Sequence, residues 1–165
     1  MGRNRISGVI PSSLGNLQML NDIDLSRNAL VGSIPTSFAN FGYLFSMDLS
    51  NNELNGSIPK EILNLPSLST FFILYNNFLS RPLPQEVRFL EWVGTIDLSG
   101  NHLSGNISMS IGMCKSLEKL LKANNMFSGP IPDTLVEVKG LETLDLSSNE
   151  LSDSIPPEIR NLNAL

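Results

Sequence analysis

The sequence predicts an α/β solenoid, a stack of similar turns that each give one strand to a curved parallel sheet on the concave face. Three observations carry that prediction. An asparagine recurs at Asn4, Asn28, Asn52, Asn77, Asn101, Asn125 and Asn149, at intervals of 24 residues with a single interval of 25. Apolar residues hold fixed offsets from it in every copy, and a short stretch alternating apolar with polar precedes it. Self-similarity at such a period is the mark of a repeat architecture, in which each turn buries its apolar face only against its neighbours.

The first element of each turn is a strand. Ile23 and Leu25, Met47 and Leu49, or Leu144 and Leu146 alternate with polar residues at period two, the pattern of a half-buried strand. Strands that recur once per turn in one direction must pair in parallel. The asparagine follows, and its amide, both donor and acceptor, can satisfy backbone groups left open where the strands end. Two residues later stands Ile6, Leu30, Leu54, Leu79, Leu103, Phe127 or Leu151. Six residues after the asparagine come Ile10, Ile34, Ile58, Leu83, Ile107, Ile131 and Ile155, each followed by Pro except at Ser108. Further columns, such as Leu14, Leu17 and Leu20 or Ile62, Leu65 and Leu68, complete the inward face. Residues 1–165 therefore form a single domain of about seven turns.

Composition narrows the function classes. A chain of 165 residues with 41% hydrophobic content is too apolar for a disordered segment. A formal charge of -5, with no Lys or Arg run, argues against nucleic acid as a partner. The lone cysteine, Cys114, can form no intrachain disulfide and stands in a column of core residues, so it reads as a small buried hydrophobe. His102, the only histidine, has no Cys or second His beside it to share zinc and no patterned partner for nucleophilic catalysis. No catalytic, metal or cofactor site is expected. No signal peptide and no membrane-length apolar run stand in the chain, which leaves a cytoplasmic location open as an expectation.

The stretch Leu141 to Pro156, LETLDLSSNELSDSIP, resembles the plant-specific leucine-rich repeat, whose pattern is LxxLxLxxNxLxGxIP. The resemblance covers essentially the whole chain. Segments such as SGNHLSGNIS, NNMFSGPIP and IGMCKSLEKL are similar to the ectodomains of plant immune receptor kinases, the group that includes the flagellin and elongation-factor receptors. The resemblance implies a right-handed superhelix, short 3-10 turns on the convex face and a second short strand in each turn. It also implies a protein or peptide ligand, a co-receptor and an extracellular or plasma-membrane setting. In the family, cysteine-bearing caps flank the repeats and a membrane helix and kinase follow; none is visible, so the chain reads as truncated and uncapped at both ends. Two alternatives stand beside a receptor fragment: an inhibitor like those that block microbial polygalacturonases, and a structural repeat that self-associates through its uncapped ends.

Four departures from the pattern carry expectations of their own. Arg81 and Asp153 replace the glycine found at Gly8, Gly32, Gly56, Gly105 and Gly129, and are expected to loosen the second strand. Lys122 stands where an inward leucine belongs; either the strand slips to bury Leu121 and Ala123 or, as preferred, Lys122 runs its stem along the core and keeps its charge in water. The extra residue of the long turn lies within Ser69 to Phe71. Counting back from Asn77 puts Phe72 and Leu74 inward and assigns Phe71 to a bulge at the rim.

Projection of the strands places Asp22, Asp24, Ser26, Arg27, Ser46, Asp48 and Ser50 on the solvent side of the concave sheet. There Asp24, Asp48, Asp97 and Asp145 form an acidic column, while Phe45, Ile73, Tyr75 and Leu121 are apolar where other turns are polar. Such a face suits a peptide with basic and apolar anchors. Arg27, Phe45, Asp48, Ile73, Tyr75 and Asp97 are the candidate ligand-binding residues, with Phe45, Tyr75 and Arg27 as a recognition patch. An alternative for the aspartates is that they belong to the repeat and keep the sheet soluble, and for Phe45 and Tyr75 that they serve simple packing, since single exposed apolar residues are common. Two sequons, at Asn55 and Asn106, are candidate glycosylation sites on the segment just past the strand, where glycans leave the concave face open.

Overall fold

A computed structural model describes residues 1–165. The chain is a solenoid of parallel strands and short 3-10 turns, with no long helix. The first strand of each turn builds a six-stranded sheet on the concave face, from β2 (Asp22–Asp24), β4 (Ser46–Asp48), β6 (Phe71–Ile73), β8 (Thr95–Asp97), β10 (Lys119–Leu121) and β12 (Thr143–Asp145). The second strand builds a seven-stranded lateral sheet, from β1 (Ser7–Val9), β3 (Ala29–Gly32), β5 (Glu53–Gly56), β7 (Phe78–Pro82), β9 (His102–Asn106), β11 (Met126–Gly129) and β13 (Glu150–Leu151). Strands neighbour one another in turn order in both sheets.

Each turn folds as it does for local reasons. Proline enters six of the seven 3-10 turns with an extended ψ and φ between -56 and -70 degrees, a value its ring favours. Ser108, the exception, takes φ -62 and replaces the ring with a cap: the Ser110 N–H donates to Ser108 Oγ at 3.2 Å. The recurring asparagine fastens three backbone segments at once. Asn101 Nδ2 donates to the carbonyls of Leu74, Leu98 and Ser99 at 3.1, 3.0 and 3.3 Å, while its Oδ1 accepts from the Leu79 N–H at 3.0 Å. Asn52, Asn77 and Asn125 repeat the arrangement, so buried polar atoms that strand ends would orphan are paired along the stack.

Between the sheets and the 3-10 turns lies one apolar cluster of 36 buried residues. Phe38 and Phe41 pack within it at 4.9 Å between ring centroids. The inward columns of the first and last turns are open, with Leu17 and Ile155 exposed.

Three expectations about the departures are corrected. Arg81 does not loosen its strand: at φ 77 it adopts the left-handed backbone of the glycines it replaces, and β7 runs five residues and pairs Arg81 with Leu103. The cost is local strain and not lost pairing. At Asp153, φ 64, the second strand is shorter and ends at Leu151. Phe71 is not in a bulge. It is the first residue of β6, in register with Ser46 and Thr95, and the extra residue lies at Ser69 and Thr70, whose N–H groups both donate to the Phe45 carbonyl at 3.1 and 3.0 Å. Phe72 and Leu74 do point inward.

Lys122 neither slips nor snorkels. Leu120 stays in register with Ile96 and Leu144, the Lys122 N–H donates to Asp145 O at 2.8 Å, and its side chain is 0% exposed. Backbone pairing on both sides of β10 holds the register, so the ammonium is carried into the core. Nζ finds no hydrogen-bond partner and rests 4.7 Å from the centre of the Phe127 ring.

Candidate ligand-binding surface

The solvent side of the concave sheet is a grid whose rows run across the strands. The central row reads Asp24, Asp48, Ile73, Asp97, Leu121, Asp145, each in register with the next. The row toward the strand starts reads Asp22, Ser46, Phe71, Thr95, Lys119, Thr143. Just past the strand ends stand Ser26, Ser50, Tyr75, Ser99, Ala123 and Ser147.

The aspartates of the central row have a structural task that spacing alone left open. Each accepts from the serine two residues on: the Ser26, Ser50, Ser99 and Ser147 N–H groups donate to Asp24, Asp48, Asp97 and Asp145 at 2.9 to 3.0 Å. This local side-chain bond fixes the strand exit. It also corrects the expected exposure of the serines. Ser26, Ser46 and Ser50 are buried, and Ser26 and Ser46 turn their hydroxyls onto Asp24 and Asp22. Where the aspartate is lost, the serine is lost too: Ile73 is followed by Tyr75 and Leu121 by Ala123. The paired loss leaves β6 with Phe71, Ile73 and Tyr75 side by side, all partly exposed over an intact core. Phe71 is the member that the register count missed, because its assignment to a bulge hid an alternation legible in FFILY.

Electrostatics vary along the row. The Ser26 hydroxyl holds the Asp24 carboxyl below the usual carboxylate range, and Ser147 does the same for Asp145. Asp97 moves the other way. Burial raises its pKa, Ser99 opposes this, and the nearby charges of Asp48 and Asp145 add to the rise.

The other candidates spread around this ridge. Phe45, 42% exposed, stands at the strand-entry edge, one residue before β4. Arg27 is exposed at the exit of β2, with φ 53. It lies two strands from Tyr75, about 10 Å, and at the end of the sheet opposite Phe45. Asp48, Ile73 and Asp97 are adjacent in one row and Tyr75 lies two residues past Ile73 at the exit of β6, so these four form one contiguous face. Asn55 and Asn106 are exposed on the lateral sheet, in β5 and β9.

Reactive groups are few. The Cys114 thiol is buried, donates to Val87 O at 3.3 Å and is pushed up to about 12 by burial, the state of an inert core thiol. His102 is exposed and stacks on Phe78 at 5.8 Å between ring centroids. No three His, Cys, Asp or Glu side chains converge as metal ligands, and no helix is long and apolar enough to cross a membrane.

The leucine rich repeat patterns match residues 1–54, 94–114 and 140–162. No curated protein sequence matches the chain. Among solved structures, the plant peptide hormone receptor RGFR1 in complex with RGF2 is 35% identical with a TM-score of 0.96, over 98% of this chain and 26% of that one. The Arabidopsis receptor kinase HAESA, in complex with the peptide hormone IDA and the co-receptor SERK1, is 30% identical with a TM-score of 0.78, over 100% of this chain and 32% of that one. The LRR protein LIC12759 of Leptospira interrogans is 30% identical with a TM-score of 0.79, over 98% of this chain and 39% of that one. This chain thus spans about a quarter to two fifths of these three proteins, and they are not all from plants. Its repeats, its two parallel sheets and its matches agree, and the chain belongs to the leucine-rich repeat proteins.

Proposed function

We propose that the chain is a recognition section of a receptor-type ectodomain, with the concave face around β6 as its ligand-binding surface and a peptide or protein as its ligand. The observation that carries this is the coordinated change on β6. Two repeat positions with a structural task, the aspartate and its serine, are both replaced by apolar side chains, while the inward Phe72 and Leu74 keep the core unchanged. Nothing in the fold needs that change. Exposed aromatic and aliphatic side chains on a rigid sheet are favoured anchors, because little entropy is lost when they are covered.

The same reading assigns the chain to an extracellular receptor of the peptide-binding kind, as in RGFR1 and HAESA, with a co-receptor as a second partner and Asn55 and Asn106 glycosylated away from the ligand. A random-peptide display selection against the chain tests the surface. Recovered peptides should lose at least tenfold in affinity for Ile73→Ser and Tyr75→Ala and keep it for Lys60→Ala on a 3-10 turn. Peptides indifferent to both concave changes would remove the reading.

A further inference from the structure

On the strength of that reading, we propose that the concave ligand is an extended cationic peptide lying across the strands, with basic side chains three residues apart and apolar residues between them. The orientation follows from the grid. Along β6 and its exit a ligand meets no charge, only Phe71, Ile73 and the ring and hydroxyl of Tyr75, and along β8 and its exit it meets the polar Thr95, Asp97 and Ser99. Across the strands from β4 to β12 the central row alternates: Asp48, Ile73, Asp97, Leu121, Asp145. A ligand that uses both kinds of group must cross.

The spacing follows from strand geometry. Neighbouring strands lie about 4.8 Å apart, so successive acidic positions of the row, two strands apart, are about 10 Å from one another. An extended or polyproline-II segment advances about 9 to 10 Å in three residues. Cations at i, i+3 and i+6 therefore reach Asp48, Asp97 and Asp145, and the residues between them settle on Ile73 and Leu121.

The charge follows from what the face lacks. Asp22, Asp24, Asp48, Asp97 and Asp145 occupy its outward positions; the cations are Lys119 on β10 and, at the β2 end, Arg27 and Arg3, so from β4 to β12 three carboxylates of the central row face one lysine. The serine bonds engage one oxygen of each central carboxylate and leave the other for a ligand. Mutual repulsion and burial already weigh on Asp97, and the opposite charge of a bound cation offsets both. Complementarity of this sort also speeds encounter and rejects acidic competitors.

The defining experiment uses fluorescein-labelled ten-residue peptides of identical composition: one with Lys at positions 2, 5 and 8 among Ile, Val and Pro, and one with its three lysines adjacent. Fluorescence anisotropy against the whole chain at physiological salt should show at least tenfold tighter binding of the spaced peptide. That advantage should vanish in D48N/D97N, which keeps the acceptor oxygens for Ser50 and Ser99, and persist in D133N/E137Q on a 3-10 turn. Equal affinity for the two peptides, or equal damage from both double variants, overturns the proposal. The displayed library separates this failure from that of the broader reading. Neutral or acidic peptides that still require Ile73 sink the cationic ligand and leave the concave site standing, whereas peptides that ignore Ile73 remove both.

Discussion

β6 and β10 are two strands apart in one sheet, and both break the pattern that β2, β4, β8 and β12 keep. On β6 the change faces outward: Phe71, Ile73 and Tyr75 replace polar residues above Phe72 and Leu74, which are fully buried. On β10 the change reaches inward as well, and Lys122 occupies a core position with its amine unpaired. The difference teaches which changes a solenoid accepts at little cost. Backbone ladders and asparagine bonds fix the register of both strands alike, so an outward residue can change at the cost of its local Asp–Ser bond alone, whereas an inward one is carried into the core whatever its chemistry. Departures on β6 are thus available to selection for binding, and the departure on β10 weakens the stack.

The largest effect tests the inward side of β6. Phe72→Ala empties a fully buried ring from the cluster and should destabilise the chain by about 3 to 5 kcal/mol, read from urea unfolding. A loss below about 1 kcal/mol would mean that β6 is not packed as its register requires.

Lys122→Leu should act in the opposite sense. Burial lowers the Lys122 pKa from 10.5 to about 8. The native state therefore binds this proton less tightly than the unfolded chain, and stability rises with pH between about 8 and 10.5. Below that window the penalty is in full force, and removing the amine should stabilise the chain by about 3 kcal/mol. Near pH 11 the gain should shrink toward the ordinary worth of a leucine. Equal gains at pH 7 and pH 11 would show that the amine is already neutral, or hydrated, at pH 7.

Much of this was legible in the residues. The asparagine period and the apolar columns located the concave sheet, because a solenoid repeats its constraints and each turn corroborates the others; the lateral sheet was expected from the family resemblance alone. What the sequence concealed lay where two local rules competed. At Phe71 an inserted residue could sit before or inside the strand, and only the pairing with Ser46 and Thr95 places it before. At Lys122 the cost of a buried charge argued for escape, but the strand bonds that would have to break outweigh it. The serines beside the acidic column looked exposed because period two predicts a face and not a partner; Asp22 and Asp24 cover them.

Asn101→Ala probes one rung of the asparagine ladder that joins β6 through β8 toward β10, since its bonds run from the loop past β6 to the loop past β8 and Asn125 carries the ladder on to β10. Four hydrogen bonds disappear: the Leu74, Leu98 and Ser99 carbonyls each keep one other donor, in Asn77 Nδ2, Asn125 Nδ2 and the Asn76 N–H, while the Leu79 N–H loses its acceptor. The expected loss is about 2 to 3 kcal/mol, smaller than for Phe72 because water can reach part of the vacated volume. Asn101→Asp keeps the acceptor toward the Leu79 N–H and loses the donors, so it should be no better than alanine. If it restores stability, the amide's acceptor and not its donors holds the turns together.

The smallest effect on stability should come from Ile73→Ser, and that smallness is the informative outcome. Ile73 is half-buried on the outward side, and serine keeps the strand bonds to Asp48 and Asp97. The unfolding midpoint should move by no more than the equivalent of about 0.5 kcal/mol, the usual range for a surface position without a specific partner. Ligand affinity at the concave face should nevertheless fall at least tenfold. Together with the large loss from Phe72→Ala one residue away, this separates the two faces of a single strand into one that maintains the fold and one that is free to recognise. Should Ile73→Ser cost as much as Phe72→Ala, the apolar ridge would be an extension of the core, and the contrast between β6 and β10 would collapse.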